Sequence, residues 1–264
     1  MNSFGRHAGR AMLTWLAVYL VGALCLPTAA GAFSALGCLA ATCFVGRDAP
    51  LCGIPAEKRR YSKIEYACTL GLLVSGSALL SFVVSLVLRL GGAGQTAAVG
   101  RSSFLGALVF SCLVPAAFEE LLLRGRVLGL LLDARGGGVW LCAALFALMH
   151  TDFARLPYAF FAGVVLSALV YLGGNLYVGM LFHFLNNLAS LALSRLPDAA
   201  AYGAAALLAL LFCGCLAALR KKPLFADAKM LLGAVRAGEF VRMLDPAVWL
   251  YAAAALTLCV LHLF

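Results

Sequence analysis

Nine apolar runs punctuate the chain, at about 11–26, 30–45, 66–88, 104–123, 138–151, 156–172, 175–194, 200–219 and 247–263. Short polar or glycine-bearing stretches separate them, and Gly136-Gly137-Gly138 and Gly173-Gly174 read as turns. A straight helix needs roughly 20 residues to cross a hydrocarbon core about 30 Å thick. Several runs are shorter than that, so one pair is expected to be half-spans packed against neighbouring helices, and the span count is eight or nine. The predicted fold is all-α: a polytopic transmembrane helical bundle forming a single membrane domain over 1–264, with its motif-bearing core at about 104–194.

Composition sharpens this reading. Of 264 residues, 64% are hydrophobic and only 12% charged, too few polar side chains to cover a soluble domain. A net charge of +9 would suggest nucleic-acid binding in a soluble protein, but here the basic residues fall between the spans, and no nucleic-acid partner is expected. With the N-terminus in the cytoplasm, Arg6, Arg10, Arg47, Lys58, Arg59, Arg60, Lys63, Arg124, Arg126, Arg135, Arg220, Lys221, Lys222, Lys229, Arg236 and Arg242 fall inside. Only Arg89, Arg101, Arg155 and Arg195 fall outside. That bias favours N-in with nine spans and a bacterial plasma membrane as the location.

Basic residues alternate with apolar ones over about 220–246, consistent either with an amphipathic helix on the anionic cytoplasmic surface or with an ordinary basic loop. Near the start, Pro27-Thr28-Ala29-Ala30 resembles a signal-peptide cleavage site. Retention of the first helix is the preferred reading, because it makes the charge bias consistent. The ten cysteines lie mostly within apolar runs, without paired C-x-x-C spacing, and read as small apolar filler.

Ionisable groups inside a membrane are costly, so each one within a span marks a candidate functional position. Glu119-Glu120 close one run, and Arg124 follows a turn later; His150 ends another run; His183, Asn186 and Asn187 lie within a third. Helical spacing lets Glu120 pair with Arg124, while Glu119 points about 100° away and is left free. The same spacing sets His183 and Asn187 on one face, with Asn186 directed elsewhere. Depth counted at about 1.5 Å per residue puts Glu119, His150 and His183 in the middle to cytoplasmic part of the bundle, where they can meet. Each has a plainer role open to it: a histidine satisfying a carbonyl, an asparagine joining two helices, a Glu–Arg pair fixing a helix end. Together they supply what water activation and oxyanion stabilisation require.

The ordered set Glu119-Glu120-x-x-x-Arg124, Phe146-x-x-x-His150 and His183-x-x-x-Asn187, over about 119–187, resembles the CPBP family of intramembrane proteases. That family includes the CAAX prenyl endopeptidases and bacterial proteins linked to bacteriocin processing and immunity. The resemblance implies a helical bundle with a cavity and peptide-bond hydrolysis near the membrane surface. Carried over, Glu119 and His150 activate water, His183 and Asn187 stabilise the oxyanion, and Glu120 with Arg124 supports the first motif. If the mechanism uses a metal, Glu119, His150 and His183 would hold zinc. A metal-free mechanism with Glu119 as base uses the same residues and is preferred. The expected partners are the lipid bilayer and a membrane-associated peptide or protein substrate, reached from the cytoplasmic side. Two other classes stay open: a transporter or proton-conducting protein, and a non-enzymatic partner or immunity protein whose polar residues only join helices.

Overall fold

The apolar runs fold as helices because a backbone without water must satisfy its own polar groups, and a helix does so within one segment. A computed structural model describes residues 3–26, 30–45, 61–91, 103–235, 238, 241 and 243–261; no strand occurs among them. Each of the nine runs is a helix: α1 (Ser3–Cys25), α2 (Ala30–Val45), α3 (Lys63–Leu90), α4 (Phe104–Leu130), α5 (Arg135–Leu148), α6 (Leu156–Gly173), α7 (Leu176–Leu193), α8 (Asp198–Leu219) and, after α9 (Pro223–Gly233), α10 (Pro246–Leu261). Six of the helices are long and apolar enough to cross a membrane. Helix α2 (16 residues), α5 (14) and α10 (16) fall short of a straight span.

Neighbouring pairs set the packing. Helix α1 lies against α2 and α10, α3 against α6 and α8, α5 against α6, and α4 against α2 and α7. Trp15, Tyr251, Phe146, Leu122 and Leu123 are fully buried at the centre. Leu207 and Leu210 on α8 are about 70% exposed, as side chains facing lipid would be.

Helix α4 is not regular. Its turns widen to π geometry at Leu108–Leu113 and again at Leu123–Val127. Pro115 follows the first of these and has no N–H to give the carbonyl four residues back, so the backbone loosens there. Between the two wide turns sit Glu119 and Glu120. Arg124 and Arg126, counted above with the loop charges, are in fact buried within α4. Their guanidinium groups therefore say nothing about orientation.

Of the basic stretch at 220–246, α9 packs Leu224 and Leu231 into the bundle against α5 and α6. Met230 and Lys229 on its other face are exposed. Arg47, Lys58, Arg59, Arg60, Arg101, Arg236, Arg242 and Phe240, the residues 27–29 of the cleavage-like sequence, and His262 lie outside the described residues.

Candidate active site

Glu120 and Arg124 are four apart on α4, and the guanidinium Nη1 donates to Glu120 Oε1 at 2.6 Å, both side chains being wholly buried. Nε donates to Ser167 Oγ and Nη2 to the Gly163 carbonyl, each at 3.1 Å, both on α6. The guanidinium carbon lies 4.6 Å from the Phe146 ring centroid. A buried Arg is thus matched by one anion, two neutral acceptors and an aromatic face. Gly163 is required at its position, because a Cβ there would stand 2.9 Å from the backbone of Ala143.

Glu120 does more than pair with arginine. His183 Nδ1–H, from α7, donates to the same Oε1 at 2.9 Å, and the other ring nitrogen faces Glu119 Oε2 at 3.9 Å. Taken along α4 alone, the two carboxylates diverge by about 100°, which gives them separate roles. The structure joins them through a third residue, with His183 bridging the gap between them. Gly179, one turn before His183, leaves room for this arrangement: a Cβ there would come within 3.2 Å of Glu120 Oε2 and 2.6 Å of Val170 Cγ2.

His150 stands in the turn after α5. Its Nδ1–H donates to the Phe146 carbonyl at 3.1 Å, which leaves Nε2 as the acceptor nitrogen. Phe146 stands edge-on to both imidazoles, 5.1 Å from His150 and 5.5 Å from His183. The next residue, Thr151, is buried with φ of 47°, a left-handed conformation that costs a β-branched residue about 1–3 kcal/mol. That strained turn fixes where His150 sits.

Glu119, His150, His183, Asn186 and Asn187 all line one cavity of about 610 Å³, with Tyr158 and Arg155 from the start of α6. Asn186 corrects the expectation that it points elsewhere: residues three and four apart on a helix both neighbour the first, so Asn186 and Asn187 flank the face that carries His183. Asn186 is buried, and its Oδ1 has no hydrogen-bond partner among the described residues. Ser167, Gly163 and Gly179 join the site beyond the residues the sequence pattern marks. A serine and two glycines in apolar helices carry no signal of their own until the arginine and glutamate they serve have been placed.

Zinc finds an incomplete seat here. Among the described residues no three His, Cys, Asp or Glu side chains gather as ligands, and His183 Nδ1 is already committed to Glu120. The pair Glu119 and His183 Nε2 gives two donors.

The class defined by fold and site is an all-helical integral membrane protein with a cavity lined by one carboxylate, two imidazoles and two amides. Residues 101–189 match the family model described as type II CAAX prenyl endopeptidase Rce1-like. The resemblance to the CAAX proteases holds over that segment, and at family level it supports an intramembrane protease of the CAAX type. No curated protein and no solved structure matched the chain.

Proposed function

We propose that this protein is an endopeptidase that hydrolyses a peptide bond of a membrane-associated peptide or protein, with Glu119 as general base. The observation that carries the reading is that Glu119, His150 with its acceptor Nε2, His183 and the amides of Asn186 and Asn187 line one cavity. In this mechanism Glu119 takes a proton from water, assisted by His150 Nε2 as a second acceptor. The water oxygen bonds to the scissile carbonyl carbon. The resulting oxyanion is held by Asn187 Nδ2–H and by His183. Glu120 accepts from His183 Nδ1–H and so fixes the ring with Nε2 turned toward the cavity beside Glu119. The proton held by Glu119 then passes to the amide nitrogen as the C–N bond breaks, so atoms and charge balance.

Glu119→Gln is isosteric and removes the base, and a positioned general base contributes typically 10² to 10⁴ in rate. Cleavage of a membrane-anchored peptide library by purified protein, read by mass spectrometry, should fall by at least the lower figure with the fold intact. An unchanged rate would refute the proposal. CAAX processing in the strict sense needs a prenylated cysteine substrate; the broader CAAX-like reading does not.

A further inference from the structure

Contacts identify the two ends of the bundle. At one end α1 starts beside α10, with Arg6 Nε 3.8 Å from Asp245 Oδ2. Helix α3 starts there against α9: the Tyr61 hydroxyl donates to Asp227 at 3.0 Å, and the Leu224 N–H donates to Glu65 Oε1 at 2.9 Å. Trp140, near the start of α5, donates to the Leu232 carbonyl at 3.1 Å, also on α9. The opposite end holds the close of α1, the start of α2, the first turns of α4, the α5–α6 turn and the close of α7.

The cavity belongs to that opposite end. Its exposed wall residues are Gly31, Phe110, Ser111, Arg155, Ser190 and Ser194. Toward the α9 end the way is closed, because α4 continues past Glu119 through Leu122, Leu123, Val127 and Leu128, all fully buried. The site therefore has a mouth at one end of the bundle and a packed floor at the other.

Charge tells the ends apart. Around the α9 end stand Arg6, Arg10, Lys63, Arg135, Arg220, Lys221, Lys222 and Lys229. Around the mouth, the described basic residues are Arg89, Arg155 and Arg195, and Arg155 is paired with Asp152 at 3.2 Å. Excess Lys and Arg mark the cytoplasmic side of a polytopic protein. Setting aside the buried Arg124 and Arg126 leaves the bias in place.

We infer that the catalytic cavity opens on the non-cytoplasmic face, and that the substrate is a membrane-anchored peptide whose scissile bond is presented from that face. The substrate clause rests on the proteolytic reading above; the direction of opening does not. It reverses the cytoplasmic access expected from sequence. That expectation measured how deep each residue lies along its span, and depth says nothing about which end of a bundle is sealed. An exported peptide tethered by an apolar segment fits such a mouth, whereas a cytosolic chain with a lipidated C-terminus would meet the floor.

The test uses the full-length chain carrying Leu196→Cys at the mouth end or Lys229→Cys on α9, both at exposed positions. Spheroplasts are treated with a membrane-impermeant maleimide, and peptide mass mapping reads each position, so the native cysteines stay in place. Position 196 should be labelled in intact spheroplasts and position 229 only after permeabilisation; the reverse pattern overturns the inference. In parallel, right-side-out and inside-out vesicles receive an externally added acyl-anchored peptide, with Glu119→Gln as control. Right-side-out vesicles should cleave at least tenfold faster. The expected labelling without cleavage in any preparation, detergent included, would keep the direction and overturn both the substrate clause and the protease reading.

Discussion

Arg124→Met tests how much of the site rests on one cation. The guanidinium serves three acceptors through three different nitrogens, and methionine, of similar length, serves none. Glu120 would keep its place with 0% exposure and lose its strongest partner. Breaking a buried ion pair from one side typically costs 3–5 kcal/mol, because the remaining charge is uncompensated. The orphaned Gly163 carbonyl adds to this cost, while the retained side-chain volume limits cavity formation. The expected loss is about 3–5 kcal/mol of stability, read by reversible denaturation in detergent micelles. Arg124→Lys keeps the charge but cannot reach Ser167, Gly163 and Glu120 at once, and should cost about 1–3 kcal/mol. The double variant Arg124→Met with Glu120→Gln removes the stranded charge and should recover part of the stability. It should not recover activity, because His183 would still lack its anionic partner. A single Arg124→Met variant within 1 kcal/mol of the parent would refute the view that this pair anchors α4 to α6.

Gly179→Ala puts a methyl against Val170 and Glu120 Oε2, and should cost about 1–3 kcal/mol by overpacking and lower kcat more than it raises KM. Both are measurable on the same anchored peptide, and an unaltered kcat would show that Glu120 need not be held so closely. Trp140→Phe keeps the stacking on Phe160 but deletes the bond to the Leu232 carbonyl, so about 0.5–1.5 kcal/mol should be lost. Faster amide exchange confined to α9 would confirm this, and uniform exchange would count against α9 being a docked helix. Asn187→Ala should lower kcat by 10² to 10³ with little change in KM, as removal of an oxyanion donor does. A pure KM effect would reassign Asn187 to substrate binding.

Much of the fold was legible because a membrane permits so few backbone solutions. Every apolar run is a helix, since a segment of such length and polarity has no other way to satisfy its N–H and C=O groups. Most bounds fall within about three residues, but α1 starts at Ser3, α4 runs on to Leu130, and Gly136-Gly137-Gly138, expected as a turn, are buried in the first turn of α5. The irregular turns in α4 were not legible. Pro115 hints at the first, but the second, at Leu123–Val127, follows from the demand that Arg124 reach Ser167 and Gly163 on a neighbouring helix. No local pattern encodes that demand. The strained turn at Thr151 is similar, since its conformation answers to where His150 must stand.

The relation between the two carboxylates shows where spacing arguments stop. Adjacent residues on one helix diverge by about 100°, and from α4 alone Glu119 and Glu120 look like separate devices. An imidazole, however, has two nitrogens on opposite edges of a rigid ring, and a histidine on a second helix can address two directions at once. His183 reaches Glu120 through Nδ1 and faces Glu119 through Nε2, so the divergence that seemed to separate the carboxylates is what lets one ring span them. Each carboxylate then keeps a distinct role. Glu120, held by Arg124, fixes the ring, and Glu119, on the cavity side, is left for water. The motif therefore needs its two glutamates adjacent, and moving either by a single residue would leave His183 with only one of them.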